Sequence, residues 1–220
     1  MPQQSLAEQV ATFNDGFTAQ IGPELSAVFD QEQADLREAG VPTGAADVGT
    51  QVPDAALLTP SGASTSLATE VGGEPAVIVF YRGAWCPYCN LTLRTYQQDL
   101  LPELEARGVR LLAISPQTPE GSELAIANGE LAFPVLSDPG NALAAALGIV
   151  TAPSSPAREA HTALGFDVAD SNADDTAGIP FPSVFLVDGD RVVRFADVHV
   201  DYTTRTEVPE ILAAITRVAG

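Results

Sequence analysis

Two cysteines three residues apart are the residues of this sequence best suited to chemistry. Cys86 and Cys89 are the only cysteines of the 220-residue chain, and Pro87 and Tyr88 stand between them. On a helix this spacing puts both side chains on one face with Cβ atoms about 5–6 Å apart. A small backbone adjustment then meets the geometry of a disulfide. The pair therefore predicts thiol–disulfide redox chemistry.

The pair is predicted to open a helix directly after a buried strand. Residues 76–81 form an unbroken apolar run, which is typical of a strand covered on both faces. Pro87 is a favoured first helical residue, so Cys86 falls beside the N-cap and Cys89 in the first turn. Unpaired backbone N–H groups and the helix dipole stabilise a thiolate there and lower a thiol pKa from about 8.5 to about 3.5–7.5.

Other uses of the two cysteines fit less well. A zinc site needs two further ligands, and only His161 and His199 remain, each isolated in the sequence. A permanent disulfide would close too short a loop to stabilise the fold. The segment Met1–Ser5 lacks a basic region followed by an apolar one, so we expect no secretory signal and a cytoplasmic location, where thiols stay reduced. We expect no metal and no organic cofactor.

The charge of the chain limits its partners. Asp and Glu total 29 against 10 basic residues, all arginine, which gives a net charge of −19. Nucleic acid and anionic membrane surfaces both attract clustered cations, so neither is an expected partner. No apolar run approaches the ~18 residues that span a bilayer. An acidic surface that maintains solubility is the simplest explanation, and a salt-adapted host is the alternative.

Alternating strands and helices are predicted around the pair. Residues 1–40 form two amphipathic helices broken at Gly22-Pro23, an N-terminal helical arm that packs on the main domain or, alternatively, forms a homodimer contact. Residues 41–220 form an α/β domain with a mixed central β-sheet flanked by helices, and residues 150–180 are an insertion. An edge hairpin is predicted within residues 53–62. Further strands are predicted at residues 109–115, 133–136, 183–187 and 191–195, and helices at 87–106, 119–129, 141–147, 157–164 and 208–218.

The chain resembles the peroxiredoxin-like family of the alkyl hydroperoxide reductase and thiol-specific antioxidant group, which is built on the thioredoxin fold. Segments along nearly the whole chain carry the resemblance: Pro53-Asp54, Phe80 to Asn90, Ala113 to Pro119, Phe133 to Asp138, Pro182 to Asp188 and Asp201 to Arg205. It implies reduction of hydrogen peroxide or organic hydroperoxides through a cysteine sulfenic acid. It also implies a thioredoxin-type or low-molecular-weight thiol as the reductant.

Three positions depart from the family's pattern. Typical members carry Pro-x-x-x-Thr-x-x-Cys, which places Cys89 at the peroxidatic position, Cys86 where Thr belongs and Arg82 where Pro belongs. They also place an arginine three residues before a phenylalanine in a later strand, where this chain has Pro182. A proline at the start of this strand is similar to thioredoxin, in which a cis-proline faces the dithiol.

The order of attack and the roles of neighbouring residues follow from these two resemblances. The peroxiredoxin pattern makes Cys89 the attacking residue, whereas the thioredoxin pattern makes it Cys86, which we expect to be the more exposed thiolate. Arg82 is predicted to favour the thiolate and polarise the peroxide, or else to be a surface charge. Four residues are predicted to bind substrate, namely Trp85, Pro87, Tyr88 and Pro182, and the alternative for Trp85 is a hydrophobic lid on the turn. Three residues further along the chain, namely Asp201, Tyr202 and Arg205, are predicted either to border the site or to form a structural hydrogen-bond cluster.

The expected function is a thiol-dependent peroxidase with a Cys-x-x-Cys dithiol cycle. The first alternative is a thioredoxin-like protein disulfide oxidoreductase, which Pro182 and the missing threonine and arginine favour. The second is a redox-sensing protein, in which oxidation of the pair switches an interface with a partner.

Overall fold

The computed structural model describes residues 4–219, so the expectations for Met1–Gln3 and Gly220 lie outside the described residues. Within this range the chain forms nine strands, namely β1 (Ala56–Leu58), β2 (Ser64–Ser66), β3 (Ala76–Phe80), β4 (Arg110–Ser115), β5 (Val135–Ser137), β6 (Val150–Thr151), β7 (Ile179–Pro180), β8 (Ser183–Val187) and β9 (Val193–Val198). The same range contains ten α-helices, namely α1 (Leu6–Ile21), α2 (Pro23–Ala39), α3 (Leu67–Val71), α4 (Pro87–Thr95), α5 (Leu101–Glu105), α6 (Pro119–Gly129), α7 (Ala142–Ala146), α8 (Ser155–Ala163), α9 (Val168–Ser171) and α10 (Val208–Ala219).

The central sheet is mixed, as predicted. Seven strands follow the order β2-β1-β5-β4-β3-β8-β9, and β6 and β7 form a separate pair. Strand β3 pairs in parallel with β4, and β4 pairs in parallel with β5, so α4 and α6 lie in crossover connections. Strands β8 and β9 form an antiparallel hairpin beside β3. The predicted α/β class is therefore confirmed.

Strand β3 runs through the centre of the core and leads to the cysteine pair. All five of its residues are buried, as the apolar run predicts. Val77 and Val79 face a cluster that contains both cysteines, whereas Ile78 faces a second cluster on the other side of the sheet. The pair therefore belongs to the hydrophobic core on one face of the sheet.

The two helices of the predicted arm pack against the α/β domain. Ser5 begins α1 with a capping box, because its hydroxyl accepts a hydrogen bond from the Glu8 N–H and the Glu8 carboxylate accepts one from the Ser5 N–H. The side chain of Leu6 is buried in the cluster that contains the cysteines. Gly22 separates α1 from α2 with a φ of +82°, a value that favours glycine. The domain boundary at residue 40 and the homodimer alternative stay predictions.

Other elements differ from the sequence-based expectations. The helix predicted over residues 87–106 is interrupted by the π-helical segment Tyr96–Leu100, which lies between α4 and α5. The insertion contains the predicted helix, α8, but also α9 and the β6–β7 pair, which were not predicted. Strands of two residues are too short to show an alternating pattern. No helix among residues 4–219 has both the length and the apolar character needed to cross a membrane.

Candidate active site

The cysteine pair lies at the N-terminus of α4, where the sequence predicts it. Cys86 is the N-cap residue and Pro87 the first residue of the helix. The Cys86 carbonyl accepts hydrogen bonds of 3.1 Å from the N–H groups of Cys89 and Asn90. Both thiols are free, and each cysteine is only 1% exposed. The expectation that Cys86 is the more exposed sulfur is therefore wrong, because packing from neighbouring elements covers it.

The turn between β3 and α4 is held in one conformation by its neighbours. Gly83 has a φ of +150°, and a Cβ atom there would lie 2.4 Å from Trp85 Nε1, so only glycine fits. The Ala84 N–H donates to Gln117 Oε1 at 2.7 Å, and Asn90 Nδ2 donates to the Ala84 carbonyl at 2.7 Å. These contacts fix the turn that carries the backbone N–H group of Arg82.

Two positively polarised groups contact the sulfur of Cys89. The backbone N–H of Arg82 donates to its Sγ at 3.4 Å, and Arg205 Nη2 donates to it at 3.3 Å. Burial opposes ionisation, but the hydrogen bond with Cys86, the Arg205 charge and the Arg82 N–H outweigh it and lower the pKa of Cys89 to about 5. Cys89 is therefore a thiolate at neutral pH.

Cys86 behaves in the opposite way. Burial raises the pKa of its thiol well above 9.0, and its hydrogen bond to Cys89 and the negative charge of Cys89 act in the same direction. Cys86 thus keeps its proton and donates a hydrogen bond to the neighbouring thiolate. Of the two orders of attack left open by the sequence, these electrostatics favour Cys89 as the nucleophile.

Arg205 contacts the reactive sulfur, although the sequence suggests only that it borders the site or belongs to a structural cluster. It lies 116 residues from Cys89 in the chain. Its Nη1 donates to the carbonyls of Tyr202 and Thr204, both at 2.6 Å, which fixes the guanidinium. Its only sequence signal was membership of the segment Asp201–Arg205 that carries the family resemblance.

Arg82 is a buried cation beside the pair. It is 4% exposed, so the surface-charge alternative is wrong. The guanidinium carbon lies 3.9 Å from the ring centroid of Tyr202 and 5.0 Å from that of Trp85, in two cation–π contacts. Within residues 4–219 no carboxylate forms a salt bridge with it. Its positive charge acts to lower the pKa of both cysteines.

Pro182 does not reproduce the thioredoxin feature that its position suggests. Every peptide bond within the described range is trans, including the one before Pro182, so the expected cis-proline is absent. Pro182 instead lines a space of about 10 Å³ beside Cys89, together with Arg205 and Thr206. A volume of about 10–15 Å³ holds one water-sized molecule.

A much larger cavity of about 610 Å³ borders Cys86. Trp85, Pro87 and Tyr88, three of the four predicted substrate-binding residues, line it, and their role in binding stays a prediction. The arm closes one side of it, because Tyr88 Oη donates to Asn14 Oδ1 of α1 at 2.7 Å. Burial raises the pKa of Tyr88 to about 12, so its hydroxyl keeps its proton at neutral pH.

His161 also lines this cavity, although no functional role was predicted for it. Its ring contacts Trp85, Phe166 and Phe29, with centroid distances of 5.6, 4.8 and 5.2 Å. Burial, with a further contribution from the Arg82 charge, lowers the pKa of His161 to about 4, so the ring is neutral. No group of three or more His, Cys, Asp or Glu side chains in the described chain is arranged to hold a metal ion.

Comparison with known proteins gives the site a context. A model of the AhpC/TSA family matches residues 48–196. A bcp peroxiredoxin of Haemophilus influenzae is 34% identical over 102 residues, a match that covers 46% of this chain and 64% of the relative, less than two thirds of its length. The structure is similar to that of peroxidoxin BcpB from Mycobacterium tuberculosis, with a TM-score of 0.59, 19% identity and coverage of 78% of this chain and 97% of the other.

A second solved structure has the same fold. The peroxiredoxin-like protein from Aquifex aeolicus aligns with a TM-score of 0.61 and 15% identity, over 79% of this chain and 88% of the other. At these identities the structural likeness concerns the fold alone. The predicted thioredoxin-like fold is thereby confirmed.

Proposed function

Because this chain belongs to the AhpC/TSA family, we propose that it is a thiol-dependent peroxidase in which Cys89 attacks the hydroperoxide and Cys86 resolves the product. The observation that carries the proposal is the difference between the two sulfurs. Cys89 Sγ accepts hydrogen bonds from Arg205 and from the Arg82 N–H, whereas burial keeps Cys86 protonated. A peroxidase of this type needs one thiolate and one neighbouring thiol.

The proposed reaction has two steps. The Cys89 thiolate attacks one peroxide oxygen, the O–O bond breaks, and the leaving hydroxide or alkoxide takes a proton to give water or an alcohol. Cys86 Sγ then attacks the Cys89 sulfenic acid, the S–O bond breaks, and a second water leaves as the disulfide forms. The peroxide gains two electrons and the dithiol loses two. Arg205 is placed to stabilise the negative charge that develops on the peroxide oxygens.

The space beside Cys89 favours a small peroxide. Its volume of about 10 Å³ is of single-water size, and Pro182 and Thr206 form part of its wall. Hydrogen peroxide therefore suits it better than an organic hydroperoxide, whose carbon substituent has no room there. We propose hydrogen peroxide as the preferred substrate.

The remaining parts of the proposal concern partners and compartment. A thiol must return two electrons to the disulfide, and a reducing compartment such as the cytoplasm supplies such thiols. Homodimer formation through the arm is retained only as an alternative use of that surface. With a net charge of −19, nucleic acid and anionic membranes are not proposed as partners.

The burial of both sulfurs argues against a protein disulfide oxidoreductase. A disulfide in another protein must approach a nucleophilic sulfur closely, but both cysteines are 1% exposed and the arm lies over the cavity at Cys86. The trans peptide at Pro182 also removes one of the features that favoured this alternative. The redox-sensing alternative predicts oxidation without turnover, and the following experiment distinguishes it.

The test compares two single variants, Cys86→Ser and Cys89→Ser, treated with substoichiometric hydrogen peroxide and a dimedone sulfenate trap. With a pKa of about 5, Cys89 is almost fully ionised at neutral pH, whereas a thiol with a pKa above 9 is less than about 1% ionised. Cys86→Ser should therefore form the trapped sulfenate clearly faster than Cys89→Ser, because burial still raises the pKa of Cys86 after Cys89 is replaced, and Arg205 and the Arg82 N–H still lower that of Cys89 after Cys86 is replaced. Equal rates, or no rapid sulfenate in either variant, would contradict the proposal. Oxidation of the unmodified protein without turnover in the presence of reducing thiols would indicate a sensor.

A further inference from the structure

The two sulfurs of the pair face two different spaces. Cys86, but not Cys89, borders the cavity of about 610 Å³. Cys89, but not Cys86, borders the space of about 10 Å³. A molecule in the large cavity therefore meets the resolving cysteine, and the single-water space serves the peroxidatic one. Hydrogen peroxide, the smallest hydroperoxide, is proposed for the small space, which leaves the large cavity for another occupant.

Three residues that line the large cavity each carry a buried polar atom with no partner in the protein. Gln33 Nε2, Trp85 Nε1 and His161 Nδ1 make no hydrogen bond. Gln33 and His161 are each only 5% exposed. The Gln33 amide and the Trp85 indole can only donate from these atoms, so they call for acceptor oxygens.

The buried charge in the cavity lining is positive, whereas the carboxylate in that lining, Asp30, is exposed. Arg82 lines it as a buried cation without a carboxylate partner among the described residues. Arg37 lies on the same wall, where its exposed guanidinium pairs with Asp201 at 2.7 Å. A carboxylate is the group that combines acceptor oxygens with negative charge and pairs well with arginine.

The walls of the cavity fit a small molecule. Apolar side chains from α1, α2 and the insertion form much of the lining, among them Phe17, Phe29 and Phe166. Cavities of ≈ 300–1,000 Å³ are typical of small-molecule sites. Cys86 itself is 1% exposed, so a thioredoxin-type protein would have to displace part of this lining to reach its sulfur.

We propose that the cavity binds a low-molecular-weight thiol that carries a carboxylate, and that this thiol reduces the Cys86–Cys89 disulfide by attacking Cys86 Sγ. The inference rests on the proposed function, because it concerns the disulfide formed in the peroxidase cycle. The thiolate of the small molecule forms a bond to Cys86 Sγ, the S–S bond breaks, and Cys89 leaves as a thiolate. A second molecule then attacks the bound one, Cys86 leaves and takes a proton, and the small-molecule disulfide departs. Two small thiols thus supply the two electrons.

The chemistry of the pair agrees with this direction of attack. In thiol–disulfide exchange the sulfur with the lower pKa is the better leaving group. Cys89, stabilised by Arg205 and by the Arg82 N–H, is that sulfur. Attack on Cys86 therefore releases the more stable thiolate. Cys86 is also the cysteine that lines the large cavity.

The experiment forms the disulfide with diamide, a thiol-specific oxidant, so that reduction is measured even if the peroxidase activity is absent. Glutathione, which carries two carboxylates, is compared with its diethyl ester at equal thiolate concentration. Trp85 is the only tryptophan of the chain and lies beside Cys86, so its fluorescence follows the reaction. We expect glutathione to react at least about tenfold faster than the ester, which corresponds to about 1.4 kcal/mol.

Two variants test the position of the thiol. Gln33→Glu keeps the oxygen that accepts the Tyr202 N–H at 3.1 Å but replaces the unpaired donor with a negative charge. It should slow reduction by glutathione about tenfold and leave reduction by the ester nearly unchanged. In Cys89→Ser, oxidised glutathione should form a mixed disulfide with Cys86, identified by peptide mass spectrometry.

Three results would overturn the proposal. The first is equal rates for glutathione and its ester in the unmodified protein. The second is rapid reduction by a thioredoxin with none by millimolar glutathione. The third comes from Ser26→Phe, which adds bulk to the cavity wall away from the sulfurs. If this variant slows oxidation by cumene hydroperoxide and leaves reduction by glutathione unchanged, the cavity belongs to the oxidising substrate. A failure of the proposed peroxidase function would be distinguishable from these results, because that function is tested by oxidation with peroxide, whereas the present experiment measures reduction of a disulfide formed with diamide.

Discussion

Removing the Arg205 charge should raise the pKa of Cys89. The substitution Arg205→Gln keeps an amide that can donate a hydrogen bond but loses the positive charge that lies 3.3 Å from Cys89 Sγ. The guanidinium is fixed by its bonds to the carbonyls of Tyr202 and Thr204, so its contact with the sulfur does not depend on a mobile side chain. The backbone N–H of Arg82 remains as the second donor.

The size of the shift follows from the contact. Two unit charges at the 3.3 Å of this contact, with an effective dielectric constant of about 20, interact by about 5 kcal/mol, which is an upper bound here. Hydrogen bonds to charged groups measured by mutation contribute about 1.5–3 kcal/mol, and one pKa unit corresponds to about 1.4 kcal/mol. The pKa of Cys89 should therefore rise by about 1–2 units, from about 5 to between about 6 and 7.

The assay measures Cys89 alone. In a Cys86→Ser background, where a hydroxyl replaces the neighbouring thiol, the ultraviolet absorbance of the thiolate is followed as a function of pH. At pH 6 the reaction with peroxide should slow about twofold to tenfold, because that fraction of thiolate is lost. The rate at pH 8 reports separately how far Arg205 polarises the peroxide.

A matched control removes the same charge from a distant position. Arg194 forms a surface salt bridge with Asp188 at 2.6 Å and contacts neither cysteine. Arg194→Gln should leave the pKa of Cys89 unchanged, and Arg205→Lys should restore part of the lost stabilisation. An unchanged pKa in Arg205→Gln, or an equal shift in Arg194→Gln, would refute the reasoning.

Three further predictions follow from the same structure. In the unmodified protein, the oxidation rate should be nearly constant above about pH 6 and fall about tenfold per pH unit below about pH 5, because Cys89, with its lowered pKa, is protonated only there. Stopped-flow fluorescence measures this rate, and a decline already at neutral pH would contradict the prediction. Hydrogen peroxide should oxidise Cys89 at least about tenfold faster than cumene hydroperoxide, because forcing extra atoms into a closed space costs about 1–3 kcal/mol; equal rate constants would show that the peroxide reaches Cys89 by another route. The Glu207 carboxylate accepts hydrogen bonds of 2.9 Å from the N–H groups of Leu6 and Ala7, so Glu207→Ala should weaken the start of α1 by about 0.5–2 kcal/mol. Hydrogen exchange of the α1 amides should be faster in Glu207→Ala than in the control variant Glu123→Ala, which changes an exposed glutamate on α6.

The sequence predicts well those features that depend on neighbouring residues. The apolar run before the cysteines predicts β3, and Pro87 predicts the start of α4, because both signals act over a few residues. The hairpin of β8 and β9 follows from the turn residues Asp188-Gly189-Asp190 in the same way. These local signals sufficed to place Cys86 and Cys89 at a helix N-terminus.

Features that depend on distant contacts were predicted poorly. Arg205 lies in an irregular segment between β9 and α10, and no periodic pattern indicates where such a segment folds back. Cys86 was expected to be the more exposed thiolate because the first cysteine is exposed in thioredoxins. The amphipathic pattern of the arm predicts that the arm packs on the domain, but not which residues it covers. Pro182 matches thioredoxin in its position, yet the peptide bond before it is trans.

The position of Arg205 connects the arm to the activation of Cys89. Where the family pattern has a strand arginine, this chain has Pro182, whose side chain has no donor, and the cation instead comes from the segment 201–205. Two residues of α2 hold that segment: Arg37 forms a salt bridge with Asp201 at 2.7 Å, and Gln33 accepts the Tyr202 N–H at 3.1 Å. The same α2 residues line the cavity at Cys86. The arm therefore does two things at once, since it encloses the proposed site for the reducing thiol and fixes the loop that stabilises the Cys89 thiolate.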